Sequence, residues 1–146
     1  MTILNESTVT KALYDLIRKN LPGYMIERNE PENTDPNRAR QQGTGWIGIY
    51  SGNVNGSAYT IGRTPYKKII QPKIVVQVVS MQSGEDAEDK LEKSIYDILT
   101  LVLGNKSISG TVYMINSYTV DEPKRSFDED FYFYKRTIQF ECEVRE

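Results

Sequence analysis

Few residues in this chain could do chemistry. Histidine is absent and Cys142 is the single cysteine. That removes the commonest general base at neutral pH and the commonest metal ligand. Cys/His nucleophilic sites and multi-thiolate metal sites lack their parts. The densest ionisable group is Glu85, Asp86, Glu88 and Asp89. A cation site is one reading of it, but Ser83 just upstream is well placed as a helix N-cap. Acids in a first helical turn also complement the helix dipole, so the structural reading suffices. SGEDAEDKLEKS is no calcium loop, because it lacks the central glycine and enters a helix at once. GTGWIG and GNVNGS match neither a dinucleotide fingerprint nor a phosphate loop ending in Gly-Lys-Ser/Thr, and neither opens a convincing helix. Carboxylate or tyrosine chemistry is what remains for an enzyme. No catalytic residue, cofactor or metal site is expected, and an enzyme is disfavoured.

Residues suited to binding are more numerous. Arg63, Lys67, Lys68 and Lys73 form an all-basic stretch beside Tyr59 and Tyr66. It reads as a solvated face, as an anion- or partner-binding strip, or as a platform stacking single-stranded nucleic acid. Arg38 and Arg40 lie in a polar run from Arg28 to Gly45 in which no apolar side chain is larger than alanine, apart from two prolines, and Trp46 stands at its edge. A polar connection of that length is unusual inside a compact domain. It is either plain solvated surface or a functional segment. Tyr113, Tyr118, Tyr132 and Tyr134 fall on predicted strands, where cross-strand packing accounts for them.

These side chains must be positioned by a modest set of elements. Val9, Ala12, Leu13, Leu16 and Ile17 recur at helical spacing and predict a helix over residues 7–20, capped by Ser7 and stopped by Leu21-Pro22-Gly23. Tyr24–Arg28 and Trp46–Tyr50 read as short strands, with a weak hairpin strand near Ala58–Ile61. From Pro72, a β-branched run (Ile74, Val75, Val76, Val78, Val79) predicts a strand covered on both faces. Leu91, Ile95, Ile98, Leu99 and Val102 then make the stripe of a second helix. Asp86/Lys90 and Asp89/Lys93 are spaced as charge pairs on its wet side, and Gly104 is expected to end it in a left-handed cap. GTVYMINSYTV, 110–120, and DFYFYKRTIQFECEV, 130–144, read as two closing strands. In the last, Tyr132, Tyr134, Ile138, Phe140, Cys142 and Val144 alternate inward, with Arg136, Phe131 and Phe133 breaking the pattern. Cys142 is thereby a buried small hydrophobe. The acidic DEPKRSFDED between the strands is expected to be exposed, as a solvated turn or a partner-facing loop. The sum is one α+β domain over 1–146, with a mixed or mostly antiparallel sheet, two helices on one face and long polar loops.

The element order, the size and the passage PKIVVQVVSMQSGEDAEDKLEKSIYDIL resemble tail terminator (neck) proteins of tailed bacteriophages over nearly the whole length. The resemblance implies a structural virion protein that assembles as a ring, usually a hexamer, and caps the tail tube. The ring ends tube polymerisation and presents a docking surface for head-completion or connector proteins. DNA would pass through its lumen without sequence-specific binding. In that picture Arg38, Arg40, Trp46, Lys67 and Lys68 are expected on partner-facing or subunit-facing surfaces. Another head–tail connector or tail-completion protein is the alternative within that setting, and a small nucleic-acid-binding module is the alternative outside it.

Composition agrees with such a role without demanding it. The chain of 146 residues is long enough to bury a core without disulfide or metal staples. A net charge of −2 gives no global pull toward nucleic acid or anionic membrane. MTILNESTVTK has neither a charged n-region nor an apolar h-region, so no signal peptide is expected. IVVQVV and IYDILTLVL are too short to span a bilayer. The expectation is a soluble protein assembled in the host cytoplasm and carried in the virion, with no membrane partner.

Overall fold

A computed structural model describes residues 6–28, 45–52, 54–60, 63–128 and 131–145. Its elements are α1 (Glu6–Asn20), β1 (Tyr24–Glu27), β2 (Gly45–Tyr50), β3 (Val54–Thr60), β4 (Arg63–Ile70), β5 (Lys73–Ser80), α2 (Gly84–Leu103), β6 (Met114–Val120), β7 (Lys124–Asp128) and β8 (Phe131–Arg145). The eight strands form one sheet, ordered β1-β2-β5-β8-β4-β3, with β6 and β7 also paired to β8. Only β1 and β2 run parallel. The expected α+β class, with a mixed and mostly antiparallel sheet, is what the chain forms.

Register shows why eight short strands behave as a few long ones. Ile70 faces Cys142 and Lys73 faces Gln139, so β4 and β5 run along β8 with no slip between them. Gln71 and Pro72 merely interrupt one long strand, since proline cannot donate to a ladder. The Pro72 carbonyl still accepts from the Phe140 amide at 3.1 Å. On the next row out, β2 pairs with β5 and β3 pairs with β4. The break between them falls beside Gln71: a Cβ on Gly52 would stand 2.2 Å from the Gln71 carbonyl oxygen. Along the opposite side of β8, β7 pairs with residues 131–135 and β6 with residues 138–143, with a bulge between Ile115 and Ser117. β8 is therefore the spine to which two interrupted neighbours, β5–β4 and β7–β6, are registered directly, with β2–β3 registered through the first of them.

One face of this sheet carries the core. Val9, Leu13 and Ile17 of α1 and Leu91, Ile95, Ile98 and Val102 of α2 pack with Ile74, Val76, Val78, Ile138, Phe140, Cys142 and Val144. Each large side chain buried there stabilises by about 2 kcal/mol. Exposed charge pairs contribute far less, so the stripe holds α2 in place. The Ser83 side chain accepts from the Asp86 amide at 3.0 Å, as the cap expectation required. α1 begins at Glu6, which puts Ser7 inside its first turn.

Several expectations need correction. Gly104 is right-handed, at φ −73 and ψ −13. The left-handed residues come later, at Ile108, Ser109 and Gly110. Ile108 is fully buried, and that burial, about 2 kcal/mol, is enough to offset the roughly 1–2 kcal/mol of a left-handed branched residue. Turns therefore occupy the ground before Met114 that was read as strand. The acidic connector holds strand β7 between Lys124 and Asp128, and the basic stretch is mostly strand β4. Arg136 breaks the apolar pattern of β8 because its Nε donates to the Asp121 carbonyl at 2.7 Å. Phe131 and Phe133 do so because their rings meet 5.8 Å apart on the other face.

Replacing Gly52 with alanine should lower unfolding stability by roughly 1–3 kcal/mol, because backbone on two strands must separate to admit a methyl group. Urea unfolding followed by circular dichroism reads this directly, and an unchanged midpoint would contradict the close approach.

Candidate interaction surface

Several ionisable groups around α2 and β8 are committed to structure. In the α2 first turns, the Ser80 hydroxyl donates to Asp86 Oδ2 at 2.6 Å and Lys90 Nζ stands 3.3 Å from the same oxygen. The Ser80 hydrogen bond, then Lys90, hold the Asp86 carboxyl below its ordinary range, partly opposed by desolvation. Glu88 accepts from Arg125 of β7 through both oxygens, at 3.0 and 2.7 Å. That hydrogen-bonded pair pulls its carboxyl down as well. Arg125 also lies 5.7 Å from the centroid of the Tyr134 ring, so one side chain ties β7, β8 and α2 together. Burial pushes the Cys142 thiol up to about 12, with Glu141 adding to the shift, and leaves it protonated at neutral pH. Among the described residues no group of three or more His, Cys, Asp or Glu side chains could hold a metal ion. No helix among them is long and apolar enough to cross a membrane.

A groove of ≈ 370 Å³ is lined by Tyr14, Arg18, Pro22, Tyr24 and Ile26. Its Tyr24 hydroxyl donates to Ser94 at 2.8 Å and is pushed up mainly by burial. Arg18 lies over the Tyr14 ring at 5.8 Å. An arginine and two tyrosines, with no acid and no activated nucleophile, give it no evident reaction.

Of the residues expected on partner-facing surfaces, the side chains of Trp46 and Lys68 are the ones described. Arg38 and Arg40, and the side chain of Lys67, lie outside the described residues. Lys68 is half-buried on β4, opposite Val144 of β8. Trp46 is the correction in this set, at 2% exposure. It sits on β2 between Met25 of β1 and Gln77 of β5, inside the sheet and not at the rim of a loop. Charge is nonetheless segregated. From Pro36 to Gly84 no acid occurs, while Arg38, Arg40, Arg63, Lys67, Lys68 and Lys73 all fall there.

What the fold does present is open strand edges. Among the described residues β1, β3, β6 and β7 each pair on one side only. β7 is guarded by Pro123 just before it and by Lys124, Arg125 and Asp128, and β1 is four residues long. Charge, proline and brevity are the usual protections against unwanted pairing. β6, MINSYTV, has none of them, and its residues are mostly exposed. Met114 and Tyr118 there are 40% and 46% exposed, and Tyr113 just before the strand is 56% exposed. The packing expected for Tyr113 and Tyr118 thus covers only part of each ring. Tyr118 meets Phe140 at 6.5 Å between centroids while keeping a free side. The sequence carried a signal in the absence of charge, but only topology makes an uncharged strand an edge.

No protein-family model matches the chain, and no curated protein matches it. Among solved structures, a chain from "Virion of native gene transfer agent (GTA) particle" is similar over 92% of this chain and 93% of its own, at 11% identity and a TM-score of 0.40. A likeness at that level assigns no role.

Asp86 and Glu88 have lowered carboxyl values in the fold, so their stabilisation is complete above the ordinary carboxylate range. It is lost as pH falls through the lowered values. Unfolding midpoints measured downward from neutral pH should fall on acidification, and Asp86→Asn should flatten that limb while lowering stability near neutrality. An acid limb identical to that of the parent would remove the Ser80–Asp86–Lys90 cluster as a source of stability.

Proposed function

We propose that this chain is a structural virion protein of the tail-terminator kind, acting as a ring that caps the tail tube and receives head-completion or connector proteins. The observation that carries the reading is the sheet edge at β6. It offers an uncharged strand with exposed aromatic and methionine side chains, and the described residues hold no cluster of His, Cys, Asp or Glu suited to a metal ion. Exposed edges and apolar patches of this sort suit assembly from many copies. The resemblance in element order supports the same reading: helix, strands, a strand running into a second helix, and closing strands. The tail tube, the head-side protein and DNA in the lumen are the partners this role calls for, with no membrane and no cofactor.

A second reading has its own observation. The acid-free segment from Pro36 to Gly84 contributes to adjacent strand rows, β2–β3 and β4–β5. A basic strip on a sheet is a footing for a polyanion, so a nucleic-acid-binding module is the alternative. Its mark would be DNA affinity that falls steeply with salt.

Solution mass and negative-stain imaging at high protein concentration, with and without purified tail tubes, should show rings of about six copies. A monomer under both conditions would overturn the ring. Alanine at Arg38 and Arg40 together should reduce joining of heads to tails in a complementation assay while leaving the fold intact. Joining at the parental level would remove that segment from the docking surface.

A further inference from the structure

We infer that β6 is the acceptor edge for β3 of a second copy, so that neighbouring subunits share one continuous antiparallel sheet. The inference rests on the ring reading above and names the contact that closes the ring.

Four features of the fold converge on this pairing. β3 and β6 are the opposite edges of the run β3-β4-β8-β6. Every step in that run is antiparallel. β6 therefore runs antiparallel to β3, and a copy laid alongside in the same orientation presents its β3 antiparallel to β6. The all-antiparallel pattern would continue across the boundary without reversing either subunit. Second, the strands match in length, at 7 residues each. Third, neither VNGSAYT nor MINSYTV contains a charged residue or proline, whereas β7 carries three charges and β1 ends in Glu27. Fourth, the large side chains exposed on β6, Met114 and Tyr118, with Tyr113 just before it, would flank the new ladder and bury on pairing.

The choice of occupant follows from geometry. Two different edges joined in one sense make a head-to-tail contact, which repeats from copy to copy and closes when the rotation permits. Pairing β6 with β6 would instead stop at two copies. β-strand addition draws affinity from main-chain hydrogen bonds, and neighbouring side chains set its register. The bulge between Ile115 and Ser117 leaves Ser117–Val120 as the regular part of β6, so register is expected to be set there.

The test uses the full chain. Ser117→Lys with Thr119→Lys places two charges on the exposed part of β6. With circular dichroism unchanged, the concentration for half-assembly should rise about tenfold or more. Separately, Ser57→Cys copies are mixed with Ser117→Cys copies and treated with a short bis-maleimide. Mixed dimers should form, neither variant alone should cross-link, and a chain carrying both substitutions should give a ladder. Dimers from Ser117→Cys alone would overturn the assignment by making the contact symmetric. Rings that persist with an unshifted midpoint and no mixed dimers would overturn it while leaving the ring standing. A chain that never self-associates would overturn both.

Discussion

Everything in this fold is registered to β8. Its fifteen residues take β5 and then β4 along one side, and β7 and then β6 along the other. The irregularities along the sheet are local: a proline at Pro72 between β4 and β5, a close approach at Gly52 between β2 and β3, and a register shift between Ile115 and Ser117 within β6. β8 passes each of them without interruption, so the sheet keeps a common register. A one-residue slip of β8 would move Ile138, Phe140, Cys142 and Val144 off the helix face together. Burial of those four, with about 2 kcal/mol at stake for the larger ones, is what makes the register unique.

The spine explains why the helices can be scaffold only. α1 and α2 cover one face through regular apolar stripes, and three of the charges of α2, Asp86, Glu88 and Lys90, are paired locally. Asp86 serves Ser80 and Lys90, and Glu88 holds Arg125. The Glu88–Arg125 contact also clamps β7 against the helix layer, and that edge strand carries charge. By contrast β6 is attached only through β8, with its outer side open among the described residues. Function is best sought where the structure leaves hydrogen-bonding capacity and apolar area unspent, and β6 is that place.

Much of this was legible in the residues, and the failures have physical causes. The buried strand from Lys73, the Ser83 cap, the α2 stripe and the inward alternation of β8 were readable because periodicity and capping are local signals. β4 and β7 were missed because both are rich in charge and lie next to turn-forming residues. Their strand character comes from pairing with β8, a partner up to about eighty positions away in the chain. Gly104 misled because glycine permits the left-handed conformation without requiring it. Trp46 misled because it borders a long polar connection, while its exposure is set by β1 and β5 on either side. The edge at β6 was only half legible, since its lack of charge is a local pattern but its place at the edge is set by pairing with β8.

The central claim is that this chain works by joining copies through open sheet edges. Amide hydrogen exchange of β6, compared between dilute protein and assembled particles, tests it most directly, because an edge amide is slowed only when a new acceptor arrives. The account expects the outward-pointing amides in Ser117–Val120, which alternate with those bonded to β8, to slow on assembly by an amount comparable to those of central β5. Assembly that leaves β6 exchanging as it does in the dilute protein would contradict the claim.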